Sequence, residues 1–355
     1  MPEQMDATRR LLQARLRGVS RAFYLTLRVL PAPLREPIGL AYLLARAADT
    51  IADTRLLPPA ERLRHLLAFR TQVEGPASTA PLEAIARALT EQQAVEDERL
   101  LLQELPEVFA LLEALPEDDR KRVRKVVLTL TQGMEFDLKT FPAETSGQLT
   151  ALKTPEELDT YTYFVAGCVG EFWTEITASR VPALQGWDGK RMAEIGIRCG
   201  KALQYTNVLR DVPRDLRLGR CYLPLDELSR AGVKPEELLD AAAGAKARPV
   251  LVARLQCALE HYDSAATYLL AIPRRCPRLR LAVLWPILIG LATLALLARN
   301  PGWLDPQRPS KVTRGWVYRM LALSVCGVCS NAVLRWWVRR WRRRVEEVLS
   351  TVPQQ

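Results

Sequence analysis

The 355-residue sequence predicts an all-α fold, and three observations carry that prediction. Leu, Ala and Arg dominate, whereas Val, Ile and Thr, which favour strands, are comparatively few. Apolar residues recur with the 3.6-residue period of amphipathic helices. Runs of alternating polarity closed by hairpin turns are missing from the sequence. With 48% hydrophobic and 25% charged residues, the chain can bury a core.

Seven segments show the helical period clearly. In chain order they are Leu34–Ala52, Ala60–Val73, Pro106–Leu115, Lys121–Lys139, Asp159–Ala178, Gly189–Val212 and Arg248–Leu270. Short segments that carry Pro, Gly or Ser separate them, such as Leu57-Pro58-Pro59. Because the sequence has neither a solenoid-length repeat nor a long linker, we expect a single helical domain over residues 1–334.

Leu281–Ala298 is a stretch of eighteen residues without a charge, at the short end of what can span a membrane. It contains Pro286, Gly290 and Thr293. A helix that is apolar all round can also be the central helix of a large bundle. The buried helix is the favoured interpretation, and a membrane span is the alternative.

The formal net charge of +10 excludes a strongly acidic protein and admits nucleic acid, anionic membranes or phosphorylated small molecules as partners. Leu270–Gln355 holds fifteen Lys and Arg side chains against three acidic ones. Within it, Arg335–Arg344 reads RWWVRRWRRR, a basic helix with interfacial aromatic residues. This pattern predicts a basic tail over residues 335–355 that contacts an anionic membrane surface. A solvated helix and a nucleic-acid site are the alternatives; we expect no nucleic-acid partner.

Two short motifs carry the strongest chemical signal. Asp49 and Asp53 form one pair, and Asp211 and Asp215 form the other. Each pair is spaced i, i+4, so both carboxylates lie on one helical face. Like charges at this spacing repel by a few tenths of a kcal/mol, a cost that a bound cation would relieve.

A magnesium diphosphate site explains these pairs. Mg²⁺ typically uses one or two carboxylates together with substrate phosphates. Arg46, Arg210 and Arg220 flank the motifs, and guanidinium groups match phosphate oxygens in a bidentate fork. We therefore expect a site that ionises an allylic diphosphate. Pro213, inside the second motif, predicts a kink or break in its helix.

Five blocks of the chain resemble the squalene/phytoene synthase family. They are SRAFY at Ser20–Tyr24, YLLARAADTIAD at Tyr42–Asp53, GMEFDL at Gly133–Leu138, YTYFVAGCVG at Tyr161–Gly170 and NVLRDVPRDLRLGRCYLP at Asn207–Pro224. The resemblance implies an isoprenoid synthase fold, a single helical bundle around a central cavity. It also implies head-to-head condensation of two prenyl diphosphates through a cyclopropane intermediate, presqualene diphosphate when the substrate is farnesyl diphosphate.

The resemblance also assigns roles to single residues. Asp49, Asp53, Asp211 and Asp215 match magnesium ligands. Tyr161 matches a tyrosine implicated in proton handling during the first half-reaction. Positions that match substrate or diphosphate contacts are Ser20, Arg21, Tyr42, Arg46, Gln204, Asn207, Arg210 and Arg220.

The branch of the family is predicted from three features. The apolar Leu281–Ala298 segment and the basic Lys311–Gly315 segment resemble squalene synthases, although Thr313 replaces a basic residue there. Tyr222-Leu223-Pro224 looks more like the phytoene synthase branch. The balance favours squalene synthase, with NADPH as hydride donor. The sequence has no GxGxxG motif, so local basic residues such as Lys311 and Arg314 would bind NADPH.

Alternatives stay open at this point. One is a phytoene, dehydrosqualene or presqualene diphosphate synthase, which would not reduce its product. Another is a membrane-bound assembly factor of the same fold without chemistry, whose usual mark would be loss of the aspartate pairs. The N-terminal sequence lacks the apolar core of a signal peptide, so we expect a cytoplasmic protein associated with a membrane.

Overall fold

The computed structural model describes residues 14–19, 23–54, 57–90, 95–141 and 146–350. The chain divides into two compact units. The first comprises Met1–Lys139 and Glu175–Arg180, and the second comprises Thr140–Thr174 and Val181–Gln355. The only sheet among the described residues is a pair of two-residue parallel strands, so the all-α prediction is confirmed.

The helices of the first unit follow one another with short connections. Their bounds are α1 Phe23–Val29, α2 Ala32–Asp53, α3 Pro59–Glu74, α4 Thr79–Thr90, α5 Glu96–Gln103, α6 Leu105–Ala114 and α7 Glu117–Thr140. Helix α2 buries an apolar stripe that includes Leu40, Leu44 and Ile51, each without accessible surface. Phe69 of α3 and Phe109 of α6 meet edge to face at 5.6 Å. This core fixes the face on which α2 presents its polar residues.

The second unit contains the remaining elements. They are β1 Thr150–Ala151, α8 Pro155–Thr162, a π-helical turn Tyr163–Gly167, α9 Cys168–Arg180 (whose last six residues belong to the first unit), α10 Gly189–Leu216, β2 Arg220–Cys221, α11 Leu225–Arg230, α12 Arg248–Ala271, α13 Pro277–Arg299, α14 Arg314–Gly327 and α15 Asn331–Leu349. Short 3₁₀ turns cover Pro182–Leu184, Pro235–Leu239 and Ala241–Gly244.

All seven predicted segments are helical, and two differ from the prediction in detail. The predicted segment Asp159–Ala178 is interrupted by the π-helical turn Tyr163–Gly167. Helix α10 runs without a break through Pro213, so the predicted break there is wrong. The packing of α10 against α12 holds the helix together where proline removes one backbone donor.

Of the helices whose bounds are given above, five were not among the predicted segments: α1, α4, α5, α11 and α14. All but α14 have twelve residues or fewer. Such short segments carry too few repeats of the helical period to be recognised. They owe their stability to packing rather than to intrinsic propensity.

Close packing of glycine and alanine backbones joins α10 to the π-helical turn and α9. A Cβ atom added to Gly200 would lie 2.1 Å from the carbonyl oxygen of Ala166, and one added to Gly170 would lie 1.9 Å from that of Gly196. Only glycine permits this approach. It fixes α10, which carries the second aspartate motif, against the segment that carries Tyr161.

Helix α13 is the described helix whose length and composition would allow it to cross a membrane. In its most apolar eighteen-residue window, 78% of the residues are buried within the protein. This burial favours the core-helix interpretation. At its start Arg280 is 1% exposed and donates to the carbonyl oxygens of Ile272 and Val328 and to Oδ1 of Asn331. Arg280 thus ties the beginning of α15 to α13.

Candidate active site

The first aspartate motif lies at the C-terminal end of α2, beside an arginine shared by two carboxylates. Arg46 donates to Oδ2 of Asp49 at 2.8 Å and also pairs closely with Glu98 of α5. Thr50 donates to the other oxygen of Glu98 at 3.3 Å. Burial alone would lower the pKa of Arg46, but the charges of Asp49 and Glu98 raise it above its ordinary value. The arginine therefore stays charged.

Asp49 and Asp53 repel each other as the spacing predicts. Burial, followed by the charge of Asp53, raises the pKa of Asp49 to about 6, and Arg46 opposes this rise. The Asp49 side chain keeps 43% of its accessible surface, so solvent weakens the effect. Asp53 is exposed at the end of the helix. A cation bound here would relieve the repulsion that raises the pKa of Asp49.

Glu98 is part of this group of charges, although no feature of the sequence singles it out. It lies 52 residues from Arg46 on a short acidic helix whose pattern resembles a solvated surface. Its side chain is nevertheless only 14% exposed. No local spacing relates it to the motif, because helix packing alone brings α5 against α2.

Tyr42 lies two turns before Asp49 on α2. Its hydroxyl donates to the carbonyl oxygen of Val19 at 3.3 Å, and its side chain is half-buried. Ser20 and Arg21, which were also predicted to contact substrate, lie outside the described residues. Their predicted roles stay predictions.

The second aspartate motif lies near the C-terminal end of α10. Arg210 forms a two-pronged ion pair with Asp211: Nε donates to Oδ1 at 2.8 Å and Nη2 to Oδ2. The hydrogen bond to Asp211 and the charges of Asp211 and Asp215 raise the pKa of Arg210, although burial opposes the rise. The motif thus repeats the arrangement seen at Asp49, with one aspartate held by an arginine.

Asp215 is the second carboxylate of this motif. Burial, followed by the charge of Asp211, raises its pKa to about 7, and the charges of Arg220, Arg214 and Arg210 oppose the rise. Arg220 reaches this position because strand β2 pairs with β1, with Arg220 opposite Thr150. Arg210, Asp211, Asp215 and Arg220 therefore form one group of interacting charges.

Gln204 and Asn207 precede the second motif on the same face of α10. The Asn207 side-chain amide donates to Oε1 of Gln204 at 3.3 Å. The spacing 204, 207, 211, 215 makes a continuous polar stripe along the helix. The opposite side of α10 is buried, with Tyr205 and Leu209 almost inaccessible.

Tyr161 is buried at the end of α8 and pairs with a second tyrosine. Its ring stacks on that of Tyr222 with centroids 4.8 Å apart, and its hydroxyl donates to the Tyr222 hydroxyl at 3.3 Å. Phe141 packs edge-on against Tyr222 at 5.0 Å. Sequence reasoning used Tyr222 only as a marker of the family branch and missed this contact. The two tyrosines are 61 positions apart in the sequence, so no local pattern indicates their contact.

Lys311 and Arg314 lie where α14 begins. Lys311 is exposed in the preceding segment, and Arg314 is the first residue of the helix and also exposed. Thr313 caps the helix by accepting a hydrogen bond from the backbone N–H of Trp316 at 3.2 Å. Both cations are open to solvent, so the structure leaves them available to a phosphate group.

The donor set suits magnesium held jointly with a substrate. Over the described ranges, no three His, Cys, Asp or Glu side chains converge into a site that could hold a metal ion. Each motif instead offers two carboxylates beside an arginine. Mg²⁺ keeps this kind of partial protein ligation and completes its octahedron with phosphate oxygens and water.

The comparisons with known proteins agree with this fold. The family model described as squalene/phytoene synthase matches residues 16–316. The chain therefore belongs to the squalene/phytoene synthase family, whose members are prenyltransferase-type enzymes. The predicted family is thus confirmed.

The relatives differ in the product that their names state. A bifunctional lycopene cyclase/phytoene synthase of Phaeosphaeria nodorum is 30% identical over 73% of this chain, which spans only 41% of that relative's length. A presqualene diphosphate synthase of Rhodopseudomonas palustris is 28% identical over 82% of this chain and 88% of its own. A squalene synthase of Gibberella zeae is 26% identical over 83% of this chain and 60% of its own.

Among solved structures, a complex of TcSQS with the ligand BPH1237 superposes with a TM-score of 0.74. It covers 97% of both chains at 23% identity. At this identity the likeness establishes the isoprenoid synthase fold alone, which confirms the predicted fold class.

Proposed function

We propose that this protein is a squalene synthase, which condenses two farnesyl diphosphates to presqualene diphosphate and then reduces and rearranges it to squalene. The observation that carries the proposal is the repeated motif: two aspartate pairs, each beside an arginine that already binds a carboxylate. Carboxylate pairs for a metal and guanidinium forks for phosphate are the two requirements of a diphosphate-ionising site.

The metal in this proposal is Mg²⁺, which Asp49 and Asp53 would hold at the first motif and Asp211 and Asp215 at the second. When bound, it neutralises the departing diphosphate and so lowers the barrier to ionisation. Arg46 and Arg210 exchange their carboxylate partners for diphosphate oxygens, and Arg220 adds positive charge beside Asp215. Gln204 and Asn207 extend the polar stripe toward the rest of the substrate.

Tyr161 handles the proton that leaves when the cyclopropane ring closes. A buried phenol offers a hydroxyl for proton transfer and a π face toward a cation. The Tyr222 hydroxyl, hydrogen-bonded to that of Tyr161, orients it and provides the next acceptor for a proton. NADPH enters as a co-substrate whose phosphates contact Lys311 and Arg314.

A presqualene diphosphate synthase is the second candidate. The relative from Rhodopseudomonas palustris supports it, since the similarity covers most of both chains. Such an enzyme would release presqualene diphosphate without reducing it.

Product analysis separates these candidates. The purified chain is incubated with farnesyl diphosphate and Mg²⁺, with and without NADPH, and the products are identified by mass spectrometry. Squalene formed only with NADPH supports the proposal, and presqualene diphosphate under both conditions supports the second candidate. Dehydrosqualene whatever the cofactor, or phytoene from geranylgeranyl diphosphate alone, would overturn both. No turnover of either substrate would favour the non-catalytic alternative.

A further inference from the structure

A groove of about 730 Å³ runs along the outer face of α15. We call it the arginine groove. Its lining residues are Arg299, Ala332, Arg335, Trp336, Arg339, Arg340, Arg343, Arg344 and Glu347. Six guanidinium groups thus face one carboxylate. None of the residues assigned above to diphosphate, metal or NADPH binding lies in it.

Most of this charge has no partner within the protein. In the described part of the chain, no carboxylate lies within ion-pair distance of Arg335, Arg339 or Arg343, and all three are exposed. Arg342, on the inner face of the same helix, behaves differently: it binds Asp263 at 2.8 Å and also pairs with Glu346. Arg342 therefore links α15 to α12 through an ion pair, whereas the outer arginines of α15 are available to an external anion.

An exposed aromatic side chain lies among these arginines. Trp336 is 58% exposed, and Arg340 lies over its ring at 5.3 Å from the centroid. Residues 332, 336, 339, 343 and 347 share one helical face because they are spaced by three or four positions. The outer face of α15 is therefore both cationic and aromatic.

Apolar exposure is concentrated in the same part of the chain. Of the eleven large apolar side chains exposed in the described residues, six lie between Leu296 and Trp336. They include Leu323 and Val325 at the end of α14, which are 64% and 62% exposed, and Val333 on α15. Only residues 328–330 separate α14 from α15, so this apolar tip borders the basic helix. Exposed apolar residues beside such a charge mark an interaction surface.

The two helices are anchored rather than loose. Trp316 of α14 packs edge-on against Trp341 of α15 at 5.3 Å, and Trp285 of α13 donates to Ser324 of α14 at 2.9 Å. Together with Arg280, these contacts hold the surface in one conformation. A preorganised surface loses little entropy when it binds.

We propose that the outer face of α15, with the arginine groove and the apolar tip of α14, is a docking surface for an anionic phospholipid bilayer. Guanidinium groups bind the lipid phosphates. Trp336, Leu323 and Val325 enter the boundary between headgroups and acyl chains, the depth that tryptophan favours. A bound nucleic acid would contact the arginines but would leave the aliphatic tip exposed to water. A nucleic-acid partner therefore accounts for fewer features of this surface than a bilayer does. The proposal does not depend on which product the enzyme forms.

Vesicle sedimentation with the full-length chain tests the proposal. We expect binding to vesicles that contain phosphatidylglycerol, little binding to pure phosphatidylcholine, and weaker binding as salt is raised. The variant Arg335→Gln/Arg339→Gln/Arg343→Gln should bind phosphatidylglycerol vesicles on the order of 100-fold more weakly, at about fivefold for each arginine. Trp336→Ala should weaken binding with its charge unchanged.

The matched control is Arg64→Gln/Lys190→Gln/Arg198→Gln, which removes three exposed cations from α3 and α10. It should bind vesicles almost as the parent does, and circular dichroism should show equal helicity in all variants. The proposal is overturned if the control loses as much affinity as the α15 variant. It is equally overturned if the α15 triple variant binds like the parent, or if the parent prefers a DNA duplex and ignores the vesicles.

Discussion

In both aspartate motifs, an arginine forms an ion pair with one carboxylate. Burial and a neighbouring negative charge raise the pKa of one aspartate in each motif above its ordinary value. Arg46 forms ion pairs with Asp49 and Glu98, and Arg210 forms one with Asp211. The pKa of Asp49 rises to about 6 and that of Asp215 to about 7. Functional sites commonly contain groups with such pKa shifts, and structural ion-pair networks produce them as well. At this scale the charge on each aspartate is the quantity to test.

Asp49→Asn or Asp215→Asn should abolish product formation, with a loss of more than about 100-fold, since asparagine keeps the shape but removes the charge that would hold a cation. Helicity should change little, because each substitution also removes a like-charge repulsion on its helix. Turnover of farnesyl diphosphate and far-ultraviolet circular dichroism provide the measurements. Asp118→Asn, at an exposed position on α7, is the matched control and should retain full activity. Normal turnover by either motif variant would refute the metal assignment.

His261 makes a second prediction at the residue scale. Burial, followed by the charge of Lys201, lowers its pKa to about 4, against about 6.5 in an unfolded chain. The unfolded state therefore binds more protons, and the stability that neutral His261 provides is complete above pH 6.5 and lost as pH falls toward 4.

Between pH 7.5 and pH 5, the free energy of unfolding should fall by on the order of 1 kcal/mol through His261. Urea unfolding of the parent and of His261→Gln at both values measures this contribution. The variant should lose less stability over the interval than the parent does. Equal losses in the two proteins would contradict the prediction.

Helix α10 shows how an element positions the site. Its glycines allow the backbone of the preceding segment to approach closely, its polar stripe carries the second motif, and its apolar side packs on α12. The π-helical turn Tyr163–Gly167 lies at this contact. The sequence pattern could not predict that turn, because one extra residue in a turn leaves the apolar period on both sides almost unchanged.

Gly200→Ala should reduce the free energy of unfolding by about 1–3 kcal/mol, because the new methyl group would meet the carbonyl oxygen of Ala166 at 2.1 Å. Gly189→Ala is the control, at the first residue of the same helix, where an added Cβ has no neighbour within 4 Å. Alanine favours helix over glycine, so the control should be neutral or stabilising. Chemical denaturation measures the free energy of unfolding of both variants. Equal changes in the two variants would show that the close contact at Gly200 does not control stability.

At the scale of the whole molecule, the metal is expected to bind with a ligand rather than to hold the fold together. Since no three candidate ligands converge among the described residues, removal of divalent cations should leave the melting temperature unchanged. Mg²⁺ with pyrophosphate should raise it by several degrees, because the ternary complex stabilises the folded state by mass action.

Scanning calorimetry with Mg²⁺ alone, pyrophosphate alone and both together tests this expectation. The Asp49→Asn/Asp215→Asn variant is the control and should lose the combined effect. A full rise with Mg²⁺ alone would show instead that the protein completes the metal site by itself.

The helical class, most of the long helices, the family and the aspartate motifs could be predicted from the amino-acid sequence. These features depend on composition, on a repeating period or on spacings of four residues, all of which are local. The residues that contact the motifs from distant parts of the sequence could be identified only in the folded chain. Glu98 joins Arg46, and Tyr222 stacks on Tyr161, across 52 and 61 residues of sequence. Folding also buries most of α13 and leaves the outer arginines of α15 without an acidic partner among the described residues. Such features arise from packing between helices that are distant in the sequence. The hydrophobic period of one helix does not indicate which other helix packs against it.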